Sequence, residues 1–203
     1  MLQIRNLFIL IIIINTLSSN INQKPFNTCK ATIQFSKDLN DQTFKEYYDS
    51  KNGMNFELEF PFYIGYLKTN LNFNFYKRIQ NELGTIQNIE DQNFISIHPN
   101  IEWGQILTIT KKMTWFNGIS LGGYIFHFQR NWDQIFTLGP YTETEISLGL
   151  SSMLNYKIKN NYYINFGIKK YTILTYNKIN IMSFSIGISK LFNTPLWLAN
   201  QLK

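Results

Sequence analysis

The feature of this sequence that most constrains its fold is a long, strict alternation of apolar and polar side chains. From residue 54 to residue 66 every second position is apolar: Met54, Phe56, Leu58, Phe60, Phe62, Ile64 and Tyr66. The positions between them include the polar residues Asn55, Glu57 and Glu59. Because successive side chains of a β-strand point to opposite faces of the sheet, this pattern predicts a strand with one apolar and one polar face.

The same alternation recurs along the chain and predicts an all-β protein of about eight strands. The predicted strands span residues 28–37, 53–66, 69–80, 93–109, 113–130, 141–158, 161–176 and 178–192. Several of them are longer than the roughly five or six residues usual in soluble sheets. A tilted strand needs about 9–11 residues to cross the hydrocarbon layer of a membrane, so the lengths favour membrane-spanning strands.

The connections between the predicted strands alternate in length. Short turns fall near residues 67–68, 111–112 and 159–160, whereas the longer polar connections cover residues 38–52, 81–92 and 131–140. Outer-membrane barrels have short periplasmic turns and longer outer loops, because both termini lie on the periplasmic side. The rhythm therefore predicts a closed antiparallel up-and-down transmembrane β-barrel in a bacterial outer membrane, with the long connections and a tight turn at 177–178 facing outward.

The composition is compatible with that architecture. The mean hydropathy is slightly negative, as expected when only every second residue must be apolar. The formal net charge of +6 suits a surface that faces phosphate-bearing lipid headgroups. The positive charges are spread singly rather than in a basic run, which argues against a nucleic-acid partner. Cys29 is the only cysteine, so no internal disulfide can form.

The N-terminal segment has the pattern of a secretory signal peptide. Arg5 supplies a positive charge, residues 7–14 are uninterrupted apolar residues, and residues 16–19 include small residues suited to cleavage. We therefore expect a signal peptide at 1–19 and a barrel at 20–192. A retained membrane anchor stays open as the alternative, although the apolar run is about half of the roughly 20 residues that a membrane-spanning helix needs.

The last predicted strand carries a resemblance to a known family. Residues 181–192 alternate apolar and small polar side chains and end on Phe192. This segment resembles the closing strand of the small bacterial outer-membrane β-barrels of the OmpA-like and OmpX-like type. The resemblance implies insertion by the barrel-assembly machinery, which recognises the final aromatic residue. Such barrels often stop at that residue, whereas here a tail at 193–203 follows, which we expect to lie at the periplasmic interface as a short amphipathic turn.

A barrel of eight strands has a lumen just wide enough to be filled by side chains. We expect the polar face of the strands to line this lumen and to form an ion-pair network, because buried carboxylates require cations or hydrogen-bond donors. The predicted inward residues are Asn55, Glu57, Glu59, Asn72, Asn74, Asn100, Glu102, Glu143, Glu145, Lys157 and Lys169. Alternation alone leaves open the inverse arrangement, a secreted soluble barrel with a small apolar ligand inside.

The two histidines, His98 and His127, are the sharpest candidates for a catalytic role. The turn at 111–112 would place Ser96 roughly opposite His127 near the outer rim, with Glu143 at the same height. A serine, a histidine and a carboxylate together can carry out acyl transfer. Lipid A deacylases of this size carry a His-x-Ser pair, whereas the residue two positions after His127 is Gln129.

The sequence therefore predicts a monomeric outer-membrane barrel with a filled polar lumen and a structural or surface-interaction role. Its expected partners are membrane lipid, lipopolysaccharide and, during insertion, the barrel-assembly machinery. No cofactor-binding or metal-binding motif is recognisable in the sequence. A lipid A-modifying acyl hydrolase or transferase at the outer rim remains the alternative within the membrane.

Overall fold

The computed structural model describes residues 24–40, 45, 48–78, 93–128, 141–175 and 178–201. The strands are β1 (Thr28–Asn40), β2 (Tyr48–Ser50), β3 (Asn52–Pro61), β4 (Tyr66–Arg78), β5 (Phe94–Thr110), β6 (Met113–Phe128), β7 (Tyr141–Lys159), β8 (Tyr162–Ile173) and β9 (Ile179–Asn193). A short helix, α1 (Leu196–Gln201), follows β9. In these residues no helix is long and apolar enough to cross a membrane. The predicted signal peptide and most of the predicted long connections lie outside the described residues.

The sheet closes into a barrel, which confirms the predicted fold class. From β3 to β9 each strand pairs antiparallel with the next, and β1 pairs with both β3 and β9. The short β2 lies inside the predicted 38–52 connection and pairs with β4 beyond the end of β3. It extends the β3 position of the wall, so the barrel has eight wall positions and one extra strand. Closure removes the exposed strand edges that an open sheet would present.

One predicted strand and its turn are wrong in their boundaries. The prediction ran a single strand from 53 to 66 with a turn at 67–68, but β3 ends at Pro61 and β4 begins at Tyr66. The turn between them includes Gly65, whose φ of 88° is a left-handed conformation that glycine adopts without steric cost. The apolar alternation continues through Phe62 and Ile64, which is why the pattern concealed the turn.

The orientation of the two strand faces is clear from burial. Polar side chains of β1 and β3 are buried: Lys30, Thr32, Gln34, Ser36, Asn55, Glu57 and Glu59. The apolar side chains that alternate with them are exposed: Ile33, Phe35, Met54, Phe56 and Leu58. Barrels that span a lipid membrane direct their apolar side chains outward and their polar side chains into the lumen. It contradicts the alternative of a soluble barrel, which would direct these apolar side chains into the lumen.

The two ends of the barrel differ in their connections. One end, which we call the terminal end, contains the first described residues and helix α1. It also contains the short turns at 62–65, 111–112 and 160–161. The strand ends that border segments 41–47, 79–92 and 129–140 lie at the opposite end, which we call the loop end. The predicted alternation of short and long connections is therefore present.

At the terminal end the tail folds back on the outside of the wall. Cys29 and Phe60 alternate with the inward residues Lys30 and Glu59, so they belong to the outward face, yet they are buried. They are covered by Phe26 and by a group of partly buried neighbours, namely Phe62, Leu67, Phe192 and Leu198. The backbone N–H of Thr194 donates to the carbonyl of Asn27 at 3.1 Å. The predicted short turn is thus a helix that is held against both termini of the barrel.

Candidate functional site: the barrel lumen

Four residues of alternating charge face one another around one side of the lumen. The strand register places Lys30 opposite Glu59, Glu59 opposite Lys68, and Lys68 opposite Glu102. The Lys30 Nζ lies 2.8 Å from Glu59 Oε1, and the Lys68 Nζ lies 3.2 Å from Glu59 Oε2. Directly opposed residues of opposite charge stabilise the pairing of neighbouring strands. The register of β1, β3, β4 and β5 therefore builds this part of the network.

A third lysine reaches the network from the opposite wall. Lys169 lies on β8, and its Nζ is 2.7 Å from Glu102 Oε1 and 3.6 Å from Glu57 Oε2. It also donates to Asn70 Oδ1 at 3.0 Å. Glu57 is paired in addition with Lys68 at 2.9 Å. Three lysines and three glutamates thus neutralise one another, which is the condition under which buried charges are tolerated.

Amide side chains fill the lumen beside the charges. Asn55 donates to Gln34 Oε1 at 2.7 Å, and Asn70 donates to Asn100 Oδ1 at 3.1 Å. Lys30 crosses from β1 to Asn155 on β7 at 3.3 Å. Each of these side chains is buried, so its polar atoms depend on partners inside the barrel.

An aromatic layer closes the lumen at the loop end. Its buried members are Tyr76, Phe94, Tyr124, Phe126, Tyr171, Ile173 and Ile181. The rings of Tyr76 and Phe94 stack with centroids 4.5 Å apart. The Tyr76 hydroxyl donates to Asp38 and lies 3.1 Å from the Tyr124 hydroxyl. The layer is therefore joined to the polar interior by hydrogen bonds rather than separated from it.

Sequence reasoning missed this layer and two of the three network lysines. Tyr76 shares its face with the correctly predicted inward residues Asn72 and Asn74, so the alternation contained the signal. The alternation places Lys68 in a turn because it conceals the end of β3. Lys30 stands on the weakly patterned first strand.

Of the charged residues predicted to point inward, three lie outside the ion-pair network. Glu143 and Glu145 fall on the inward side of β7, since they alternate with the same register as the buried Ser147, but they lie at the loop end, where Glu143 is exposed. Lys157 lies at the opposite, terminal end. The carboxylates and the cation are therefore separated by the length of the strand.

A β-bulge separates Ser96 from His127. Pairing of β5 with β6 begins with Thr110 opposite Met113, but the register shifts between Thr108 and Thr110. Ser96 consequently lies opposite Phe126, and His127 lies opposite Ile95. His127 is on the outer face because it follows the inward, buried residues Tyr124 and Phe126 in the alternation of β6, while Ser96 is buried inside. The predicted juxtaposition of these two residues is wrong.

The remaining candidates have other partners. His98 Nε2 lies 2.7 Å from Ser147 Oγ, and its ring contacts the rings of Tyr124 and Tyr171. His127 Nδ1 lies 3.3 Å from Thr142 Oγ1 on the outer face. His98 and Ser147 form a serine–histidine pair, but both are buried within the filled lumen. Among the described residues, no group of three or more His, Cys, Asp or Glu side chains could hold a metal ion.

Solved structures of small outer-membrane barrels share this fold. OprG from Pseudomonas aeruginosa has a TM-score of 0.53 at 9% identity, covering 86% of this chain and 100% of that chain. Ail, the attachment invasion locus protein of Yersinia pestis, in complex with the heparin analogue sucrose octasulfate, has a TM-score of 0.51 at 13% identity, covering 81% and 97%. Neisserial surface protein A has a TM-score of 0.50 at 14% identity, covering 84% and 100%.

These similarities confirm at the level of fold the resemblance that the closing strand suggested. No protein-family model and no curated protein matches the sequence. The fold is that of the small outer-membrane eight-stranded barrels.

Proposed function

We propose that the protein is an integral barrel of a bacterial outer membrane, closed to solutes, with a structural and surface-interaction role in the cell envelope. The observation that carries this proposal is the direction of the side chains: apolar residues are exposed on the outside of the barrel, and a charge-balanced polar network fills the inside. This is the reverse of the arrangement in a soluble barrel. The terminal end would then face the periplasm and the loop end the cell exterior. Export by the 1–19 segment and insertion through recognition of Phe192 belong to the same proposal, as does a monomeric state.

The lumen contents support a closed barrel rather than a diffusion pore. Lys169 spans the lumen to Glu102, and the aromatic layer of Tyr76 and Phe94 lies between this network and the loop end. A solute would have to displace both layers in series. Contacts with partners and lipopolysaccharide would instead be made by the connections at the loop end.

A polyanionic ligand like the heparin analogue sucrose octasulfate of the Ail complex is not favoured for this chain. Segments 41–47, 79–92 and 129–140 contain six acidic residues and two basic ones. A polyanionic ligand requires an excess of positive charge at its binding surface. The soluble partners that we propose for these connections are therefore neutral or cationic, whereas lipopolysaccharide would meet the exposed lysines of the strand ends, Lys37, Lys77 and Lys178.

Membrane fractionation tests the proposal directly. The full chain, expressed with residues 1–19, should be recovered in the outer membrane and should migrate differently on a gel before and after boiling, because a folded barrel resists detergent unfolding. Recovery as a soluble periplasmic protein, or mobility that does not change on boiling, would reject the transmembrane barrel. A variant that lacks residues 178–193, and hence β9, is the control, since it cannot close and should show no mobility shift.

A further inference from the structure

The terminal end of the barrel carries a contiguous arc of lysines. Its members, here called the lysine arc, are Lys111, Lys112, Lys159 and Lys190. The backbone N–H of Lys157 donates to the carbonyl of Lys112 at 2.7 Å, and that of Leu191 donates to the carbonyl of Asn161 at 2.8 Å. These bonds bring the β5–β6 turn, the β7–β8 turn and the end of β9 next to one another.

The charge of the arc is uncompensated within the described part of the chain. None of the ion pairs found there involves an arc lysine. The segments that form this end, residues 24–29, 60–67, 103–117, 155–163 and 189–201, contain no aspartate or glutamate. The loop end is different, because Asp49 and Glu143 stand there among its exposed lysines.

Exposed apolar side chains lie among the arc lysines. Ile109, two residues before Lys111, is 52% exposed, and Ile158, between Lys157 and Lys159, is 53% exposed. The Lys190 Nζ lies 5.2 Å from the centre of the exposed Tyr162 ring. The register places Lys159 and Lys190 opposite Tyr162, on the outward face. Lysines that share the outward face with apolar and aromatic residues are typical of a membrane boundary, where the stems lie in hydrocarbon and the ammonium groups reach the headgroups.

Helix α1 extends this boundary past β9. Leu196 and Trp197 are 82% and 69% exposed, whereas Leu198 packs onto the wall. Exposed Leu and Trp side chains beside a basic arc fit an interface with lipid better than one with a soluble polyanion, which would leave them in water. Charge complementarity then specifies an anionic headgroup.

We propose that the lysine arc binds anionic phospholipid headgroups in the leaflet at the terminal end, the periplasmic leaflet. This inference rests on the proposed function, because it requires the barrel to span a membrane. Each lysine close to an anionic membrane surface strengthens association by about fivefold. The arc therefore gives the protein a preferred lipid shell on one side of the membrane.

Spin-labelled lipids measure this preference. The folded full chain is reconstituted in phosphatidylcholine bilayers, and the association of spin-labelled phosphatidylglycerol is compared with that of spin-labelled phosphatidylcholine at low and high salt. The protein should prefer the anionic label, and the preference should weaken in high salt. Replacing all four arc lysines by glutamine should abolish most of the preference, and the smaller variant Lys111→Gln/Lys112→Gln should reduce it partly.

A matched variant controls for net charge. It replaces four exposed lysines of the loop end by glutamine: Lys37, Lys45, Lys77 and Lys178. An equal loss of preference in both variants, or no preference in the unchanged protein, would overturn the proposal. Heat-dependent gel mobility is measured on every sample. Its absence from the unchanged protein would reject the transmembrane barrel itself, whereas a normal mobility shift without lipid preference would reject only the arc.

Discussion

The Nζ of Lys169 lies 2.7 Å from Oε1 of Glu102, so a lysine of β8 closes an ion pair with a carboxylate of β5 across the lumen. Both side chains are almost fully buried. The pair joins two walls that are not neighbours in the sheet, which no backbone hydrogen bond does. Replacement of Lys169 therefore measures how much the interior ion-pair network contributes to the stability of the folded barrel.

Replacing Lys169 by methionine should destabilise the folded barrel by about 3–5 kcal/mol, because it leaves a buried carboxylate without a counter-charge. Urea unfolding of the protein in lipid vesicles, followed by gel mobility, measures the change. Lys178→Met is the matched control, since Lys178 is exposed between β8 and β9 at the loop end and should change stability by less than about 0.5 kcal/mol. The double variant Lys169→Met/Glu102→Gln should recover part of the loss. A double variant as unstable as Lys169→Met would show that charge balance is not the cause.

The closed lumen predicts how permeability responds to mutation. The aromatic layer and the ion-pair network act in series, so opening one should leave the other as a barrier. Tyr76→Ala/Phe126→Ala alone and Lys169→Ala alone should therefore retain a small dye inside proteoliposomes, whereas the combination should release it. Release by the unchanged protein would contradict the closed barrel. Release by either partial variant would show that only one of the two layers is a barrier.

The sequence predicts the direction of each side chain better than it predicts which residues pair between strands. Alternation correctly placed Glu57 and Glu102 inside because side-chain direction has a fixed period along a strand. It could not reveal the bulge between Thr108 and Thr110, since an extra residue in one strand leaves each strand's own pattern nearly intact and changes only the pairing. That single irregularity places His127 opposite Ile95 instead of Ser96. Contacts between distant walls, such as Lys169 with Glu102, depend on closure and have no local signature.

The separation of Ser96 from His127 predicts that neither residue modifies lipid. Cells that carry the unchanged protein, Ser96→Ala or His127→Gln should yield lipid A of the same mass. A change in lipid A that depends on the unchanged protein and disappears in the His127→Gln variant would restore the acyl-transfer alternative. Ser147→Ala should leave lipid A unchanged but should destabilise the barrel by about 1–3 kcal/mol, because buried His98 loses its hydrogen-bond partner.

The single cysteine provides a native probe of the tail. Cys29 is 1% exposed and lies in the cluster that includes the partly buried Leu198 of α1. Leu198→Ala should weaken the packing of α1 and speed labelling of the Cys29 thiol by a water-soluble maleimide about tenfold, which corresponds to about 1.4 kcal/mol in the cost of exposing it. Leu196→Ala is the matched control, because Leu196 is 82% exposed and its loss should leave the rate unchanged. Equal rates in the two variants would show that α1 does not protect the seam between β1 and β9.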